Sequence, residues 1–437
     1  RDLLTLGEGK IVEVAVIGLG KIGLPLSVLY ASKGHRVTGI DVNRKTVDSV
    51  NSSQAPFRGE EGLQTLLNKV VTSNQLRATG SFQESVPQAD VIVVAVPLVV
   101  DQDKRPDFTA IDSATNAIGE NLSENTLILY ETTLPIGTTR KRLLPQLENL
   151  SNLREGIDFH LVFSPERVLS GRVFRDLRSY PKIIGGFSNA GLSRATDFYN
   201  SVLDFDSRPD LGRTNGVWEL GSVEEAEMSK LAETTFRDVN IALANQFAIH
   251  ADHFGIDIDN VIAACNSQPF SSIHSPGISV GGHCIPVYPE LYLSTDPLGG
   301  IVRVARDINN GMPAMLVQRL ANALGSLNEK RILILGLSYR PGVKEDAFSG
   351  TYVLVKELAA HGARPFVLDP LYSETEMEAA GLEYCKDLDV IDGIILHTAH
   401  PDFLELNSGM FPNLTAVMDG RNFLKPSDWV QVTLLSL

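Results

Sequence analysis

Apolar residues in this chain gather into short runs that end at glycine or a small polar residue, and these runs alternate with longer amphipathic stretches. The first run, VEVAVIG, is apolar and β-branched and predicts a buried strand. A helical stretch over 22–33 follows, closed by the C-cap signal of Gly34, and RVTGID then predicts a second strand. Strand, helix and strand in that order make a βαβ unit. Further buried runs follow in ADVIVVAVP (89–97), NTLILYETTLPIGTT (125–139), DFHLVFSPERV (158–168) and PKIIGG (181–186). Together they predict a doubly wound α/β domain reaching to about Asn215.

The middle of the chain reads differently. Residues 223–255 contain no proline and no internal glycine, and predict one long helix stopped by Gly255. Its apolar positions fall on more than one face, the pattern of a helix that also packs against a second subunit. A further helix is predicted over 314–324. The α/β pattern then restarts. KRILILGLSYRP (330–341) is a strand ending in glycine; TYVLVKELAAHGARPFVLDP (351–370) is a helix, a Gly362 stop and a strand ending at Asp369; DGIILHTAHPDF (392–403) is a further strand. The predicted architecture is α/β: two Rossmann-like doubly wound domains, 1–214 and 326–437, joined by a helical dimerisation domain, 215–325, with a long central helix. The second α/β domain lacks the full glycine fingerprint of the first, so it is expected to hold a different nucleotide-like ligand or the other end of the same site. Ligands of such sheets bind at the carboxyl ends of the strands, which puts the expected active site in the cleft between the outer domains.

Composition narrows the function. The chain has 437 residues, 43% apolar and 21% charged, and a net charge of −15. These are the proportions of a soluble globular protein. The acidity excludes nonspecific nucleic-acid binding, which needs basic stripes. An anionic small molecule would need local Arg, Lys and helix N-termini. No apolar run reaches membrane-span length, and the N-terminus, beginning with Arg1, lacks a signal pattern. The cysteines are Cys265, Cys284 and Cys385, an odd number with no CxxC spacing. That argues against a disulfide scaffold or a metal site and for a reducing, cytoplasmic setting.

The first βαβ unit carries Gly18, Gly20 and Gly23 in G-x-G-x-x-G spacing, with Asp41 ending the second strand. Such a turn brings backbone amides and a helix N-terminus to a pyrophosphate, and the aspartate accepts from both ribose hydroxyls. A 2′-phosphate would be repelled there, so the expected cofactor is NAD. Cys284 lies in SVGGHCIPVYP, where Gly281 and Gly282 free the backbone for close approach and Pro286 stiffens the exit. It reads either as a buried filler, as Cys265 and Cys385 do, or as a nucleophile presented to a ligand. Lys230 shares a helix face with Glu227 and Thr234, and reads either as part of a solvated face or as an oxyanion-stabilising ammonium. Glu166 follows a strand on a loop, either as a surface partner of Arg167 or as a group that handles water. His283, adjacent to the cysteine, reads as a structural or substrate contact and not as its base. Dinucleotide, cysteine, lysine and carboxylate together suggest an alcohol oxidised twice, through an aldehyde, a thiohemiacetal and a thioester, to an acid.

The motifs GLGKIGLP, ETTLPIGTT, SPERV, EMSKLAE, GGHCIP, LGLSYRPGVKE and DGRNF stand in the order in which they occur in the UDP-glucose/GDP-mannose dehydrogenase family, which the chain resembles over nearly its whole length. The resemblance implies NAD-dependent four-electron oxidation at C6 of a nucleotide-linked hexose. It implies Cys284 as nucleophile, Lys230 and Thr234 at oxyanions, and Glu166 and Thr133 at the proton and the hydrolytic water. It implies Gly18, Gly20, Lys21, Ile22, Gly23, Asp41, Pro97 and Thr133 at NAD. For the UDP-sugar it implies Glu166, Arg167, Val168, Lys230, His274, Gly282, His283, Tyr339, Arg340 and Arg421. It further implies a homodimer or higher homo-oligomer built on the helical domain, and no metal, nucleic-acid or membrane partner. Four positions depart from the family pattern: Thr234 where Asn is frequent, Tyr288 where many members have Asp, and Phe270 and Ala347 where arginines are expected. GGHCIP, IPVYP and AFSG resemble the branch acting on UDP-linked 2-acetamido sugars, with UDP-N-acetylmannosamine ahead of UDP-N-acetylglucosamine and UDP-glucose. A two-electron hydroxyacid dehydrogenase of similar plan is the reading outside the family.

Overall fold

In the computed structural model, residues 11–437 are described. Residues 1–10, where the leader pattern was sought, lie outside them. The chain divides into two compact units, Arg1–Ala232 with Glu290–Thr295, and Glu233–Pro289 with Asp296–Leu437.

The first unit is built on an eight-stranded sheet. Its strands are β1 (Glu13–Ile17), β2 (Arg36–Ile40), β3 (Leu76–Thr79), β4 (Val91–Val94), β5 (Leu127–Tyr130), β6 (His160–Phe163), β7 (Lys182–Gly186) and β8 (Val217–Leu220), in the order β8-β7-β6-β5-β4-β1-β2-β3. The central strands VIVV, LILY and HLVF are buried at every residue. That is why they read as unbroken apolar runs and not as alternation. All pairings are parallel except β6 with β7, which run antiparallel with Val162 opposite Gly186. Helix α1 (Gly23–Ser32) follows β1, and α2 (Asn189–Val202) follows β7. Valines of β1, leucines of α1 and Phe198, Tyr199 and Val202 of α2 share one apolar cluster.

Helix α3 (Val223–Asp252) is 30 residues long, ending three residues before the glycine stop expected for it. In the second unit α4 (Ile258–Asn266) and α5 (Gly300–Leu324) precede a five-stranded parallel sheet. Its strands are β9 (Arg331–Leu335), β10 (Arg364–Leu368), β11 (Gly393–Leu396), β12 (Ala416–Asp419) and β13 (Thr433–Ser436), in the order β10-β9-β11-β12-β13, with α6 (Gly350–Ala360) following β9. Leu316, Val317 and Leu320 of α5 and Leu354 and Leu358 of α6 pack into one core with Ile332, Ile334, Ile395 and Met418 of the sheet.

Helix α5 corrects the expectation of a short helix over 314–324. It starts fourteen residues earlier and runs 25 residues through Gly311 and Pro313. Both are read as breakers in a sequence. Here Met312 and Pro313 are buried, and Arg306 and Asn309, two turns and one turn earlier, are locked to α3, so tertiary packing overrides propensity. Arg306 Nη1 lies 2.6 Å from Asp238 Oδ1 and Asn309 Nδ2 donates to the same oxygen at 2.8 Å.

Candidate active site

The turn after β1 is built by backbone contacts. A Cβ on Gly23 would sit 1.8 Å from the Gly18 carbonyl, so helix α1 lies against the turn with no room for a side chain. Asp41, directly after β2, accepts the Leu19 N–H on Oδ2 and the Asn43 N–H on Oδ1, both at 2.8 Å. The aspartate thus holds the turn while remaining partly exposed. Gly20 is exposed and a Cβ there would meet nothing within 4 Å, and no side chain caps or acidic residue shields the N-terminus of α1. An open cradle, a bare positive helix end and a carboxylate at the second strand fit the pyrophosphate and ribose of NAD. Lys21 and Ile22 flank that cradle half-buried, and Pro97, three residues past β4, is exposed.

A second group of side chains gathers at the carboxyl ends of β5 and β6. Glu131 and Thr133 directly follow β5, Glu166 lies on the loop after β6, and all are buried or nearly so. Lys182, the first residue of β7, joins the carboxylates: its Nζ is 2.8 Å from Glu166 Oε2 and 3.0 Å from Glu131 Oε2. Tyr199 donates to Glu131 Oε1 at 2.8 Å and Tyr30 at 3.3 Å. Burial pushes Glu131 up, with Lys182 opposing and Glu166 adding to the rise, and the group settles at about 7. Burial acts on Glu166 in the same sense, yet Lys182, the Arg167 N–H and the charge of Lys230 outweigh it and leave Glu166 below the ordinary carboxylate range. Glu166 is therefore not on the surface. Its Oε1 accepts the Arg167 backbone N–H at 2.7 Å. The side chain of Val168 packs against the apolar core of this unit.

Lys230 corrects the solvated-face reading of its helix. It is 5% exposed, and Glu227 and Thr234 are fully buried beside it. Glu227 is not paired with solvent either: its carboxylate accepts from the N–H groups of Gly137 and Thr139 and, at 2.6 Å, from the Thr139 hydroxyl. The ETTLPIGTT loop is thereby fastened to α3.

In the second unit the segment leading to Cys284 is fixed by polar contacts along its length. Asn240 of α3 accepts the His274 N–H at 2.9 Å, and the Phe236 ring lies edge-on to the His274 ring. Asn245 accepts the Gly277 N–H and donates to Asn309, each at 2.9 Å. Ser279 bonds His397 at 2.9 Å, and Arg421 donates to the carbonyls of His397 (2.7 Å) and Ser279 (3.3 Å). Gly282 then donates to Ala347 at 2.9 Å with φ +90, and a Cβ on it would be 2.9 Å from the Tyr339 ring. Cys284 emerges half-buried, its carbonyl accepting from Val287 and Tyr288. His283 is largely exposed, with Nε2 2.5 Å from buried Glu345. Tyr339 lines this turn and Arg340 follows it, both half-buried. Cys385, by contrast, is buried and its thiol pushed up to about 11 by that burial.

The structure brings Glu131, Glu166, Lys182 and Lys230 into one charged cluster of the first unit, with Thr133 buried two residues past Glu131, and Gly282, His283, Cys284, Tyr339 and Arg421 into the braced turn of the second. Sequence reading missed Glu131, Lys182, Asn245 and His397. A signal existed for Lys182: a lone lysine opening the otherwise apolar, fully buried strand KIIGG.

Three models of one family match the chain in succession: the UDP-glucose/GDP-mannose dehydrogenase family NAD binding domain over residues 12–203, the central domain over 224–310 and the UDP binding domain over 333–426. A UDP-N-acetyl-D-mannosamine dehydrogenase of Pyrococcus horikoshii is 35% identical over 421 residues, covering 94% of this chain and 96% of its own. The solved structure of the UDP-D-ManNAc dehydrogenase from Pyrococcus horikoshii is similar with a TM-score of 0.86 at 32% identity, covering 97% of this chain and 98% of that one. A UDP-glucose dehydrogenase from the hyperthermophilic archaeon Pyrobaculum islandicum is similar with a TM-score of 0.86 at 25% identity, covering 99% of each chain. Among the described residues no helix is long and apolar enough to cross a membrane, and no cluster of His, Cys, Asp or Glu suits a metal ion. The glycine turn with its aspartate and the three successive domain matches lead to one conclusion: the chain belongs to the UDP-glucose/GDP-mannose dehydrogenase family and is an NAD-dependent nucleotide-sugar dehydrogenase.

Proposed function

We propose that the enzyme oxidises the C6 hydroxyl of UDP-N-acetylmannosamine to the carboxylate in two hydride transfers, with Cys284 as the covalent nucleophile. The observation that carries this reading is the presentation of the Cys284 thiol in a braced glycine turn; Cys265, half-buried and not the sealed filler expected of it, sits in helix α4. Cys284 is half-buried at the end of a segment braced by Asn245, Ser279 and Arg421, whereas Cys385 is sealed in apolar packing. The choice of sugar is supported by the names of relatives at 30–35% identity.

NAD supplies a hydride acceptor twice per sugar. The C6 alcohol loses a hydride and a proton to become an aldehyde. The Cys284 thiolate adds to the aldehyde carbon, forming the C–S bond of a thiohemiacetal, and loss of a second hydride leaves a thioester. Water then breaks the C–S bond, releasing the acid and the thiolate. Lys230 offers its ammonium to the oxyanion at each addition. Glu166, held as a carboxylate, orients the water and takes its proton, with the Thr133 hydroxyl beside that path. Arg421 is spent on two backbone carbonyls, so it shapes the sugar pocket through the Ser279 segment.

Helix α3 leaves Phe236, Leu243 and Phe247 exposed at helical spacing, which supports a homodimer in which a second copy covers that stripe.

The test is an NADH count per sugar across UDP-N-acetylmannosamine, UDP-N-acetylglucosamine and UDP-glucose, with wild type and Cys284→Ser. Two NADH per sugar, highest kcat/KM on the mannosamine compound and no acid from Cys284→Ser are expected. One NADH per sugar, or acid formation by the serine variant, ends the covalent reading.

A further inference from the structure

Lys182 has no part in the scheme above, yet it occupies an expensive position. An ammonium in a buried strand is stable only when paired and hydrogen-bonded. Lys182 is 4% exposed and lies between the carboxylates of Glu166 and Glu131, with the face of the Tyr199 ring 4.8 Å from its Nζ. The two carboxylates differ in what else they receive. Glu131 Oε1 is held by the hydroxyls of Tyr199 and Tyr30. Glu166 has one oxygen on the Arg167 backbone N–H and the other on Lys182, and feels the charge of Lys230. The groups facing the lysine and its carboxylates are thus Tyr30 on α1, Glu131 after β5, Ser164 and Glu166 after β6, Tyr199 on α2 and Lys230 on α3.

Lys182 reaches Glu166 from a neighbouring strand, whereas the Arg167 N–H on its other oxygen comes from backbone only one residue away, so the Lys182 bond constrains the rotation of the carboxylate. Glu131 anchors the lysine from the opposite side. We propose that Lys182 is a positioning residue of the active site, clamped between Glu131 and Glu166 so that Glu166 is held ionised and in one orientation for the attack of water on the thioester. This rests on the reading that Glu166 handles the hydrolytic water. The unequal shifts of the pair agree with it: burial pushes both carboxylates up, and only Glu166, which has the Arg167 N–H and the charge of Lys230 in addition to Lys182, ends below its ordinary range.

The experiment compares Lys182→Met, Lys182→Arg and Glu166→Gln in the full chain, using UDP-N-acetylmannosamine and NAD. The readouts are the pH profile of kcat and the mass of the Cys284 adduct in quenched samples. Without Lys182 the proton on Glu166 is lost at higher pH. Lys182→Met is therefore expected to accumulate the thioester, to lower kcat at least tenfold at neutral pH, and to move the acid limb of its profile up by about one pH unit or more. Lys182→Arg should restore most of both. The double variant Lys182→Met/Glu131→Gln removes one of the two buried carboxylates, and carries the same test if the single variant does not fold. Should Glu166→Gln stall at the thioester while the Lys182 variants keep the wild-type acid limb and show no adduct, the inference is overturned and the reading of Glu166 stands. Should Glu166→Gln turn over without stalling, both are overturned.

Discussion

Asp369 Oδ2 lies 3.2 Å from His400 Nε2, and the same oxygen accepts the backbone N–H groups of Leu337 and Ser338 at 2.7 and 2.9 Å. The carboxylate closes the turn after β9 from the end of β10, and both side chains are buried. Burial pushes Asp369 up, but the His400 bond and the Ser338 and Leu371 N–H groups prevail and hold it at about 2. A depressed acid contributes stability above its unfolded pKa, near 3.8, and loses it as pH falls through about 2. Asp369→Asn is therefore expected to lower stability by roughly 2 kcal/mol at pH 7, with the difference from wild type narrowing below about pH 4. Urea denaturation midpoints measured at steps between those pH values check this. Equal midpoints at pH 7 would show that the bond network contributes nothing.

The first unit uses the same device. Asp41 directly follows β2 and accepts the Leu19 N–H after β1, and its other oxygen accepts the N–H two residues on, as Asp369 does with Leu371. The difference is access. Asp369 is covered by His400, whereas Asp41 is partly exposed and available to ribose hydroxyls. Asp41→Asn retains an acceptor for the Leu19 N–H and removes the negative charge that repels a 2′-phosphate. The expected result is a rise of about tenfold or more in the NADP-to-NAD ratio of kcat/KM, a hydrogen bond to a charged group being worth roughly 1.5–3 kcal/mol, with little change in thermal midpoint. An unchanged cofactor ratio would remove Asp41 from the ribose site.

That repetition explains how far the sequence could be read. A buried parallel strand is written as an unbroken apolar run, so β1, β4, β5, β9 and β11 stand out, β1 and β9 with a glycine directly after them, and Asp41 and Asp369 mark the strands that close the two turns. Signals that need a partner far along the chain do not stand out. Glu131 and Lys182 are 51 positions apart and meet only because β5, β6 and β7 are neighbours in the sheet. Likewise Gly311 and Pro313 read as breakers that put the start of a helix at 314, and only the contacts of Arg306 and Asn309 with Asp238 show why α5 runs through them. For Lys230 the local pattern pointed to two opposite surroundings, and burial decided between them.

The turn before Cys284 gives the last prediction. Gly282 has φ +90, a conformation that costs a side-chain-bearing residue about 1–3 kcal/mol, and a Cβ there would lie 2.9 Å from the Tyr339 ring. The Gly282 N–H is meanwhile tied to the Ala347 carbonyl at 2.9 Å, so the backbone cannot rotate away without breaking that bond. Gly282→Ala must displace the Tyr339 ring or the segment that ends at Cys284. Displacement of that segment carries the Cys284 thiol with it by a fraction of an ångström, and misplacement on that scale is costly when a bond must form. Turnover is expected to fall tenfold or more, while NAD affinity, set by the glycine turn of the first unit, stays within twofold. Steady-state kinetics with cofactor titration by fluorescence measures both. Adding Tyr339→Ala removes the clash and leaves the backbone strain, so partial recovery in the double variant is expected; normal turnover in Gly282→Ala alone would mean that the position of the thiol does not depend on this turn.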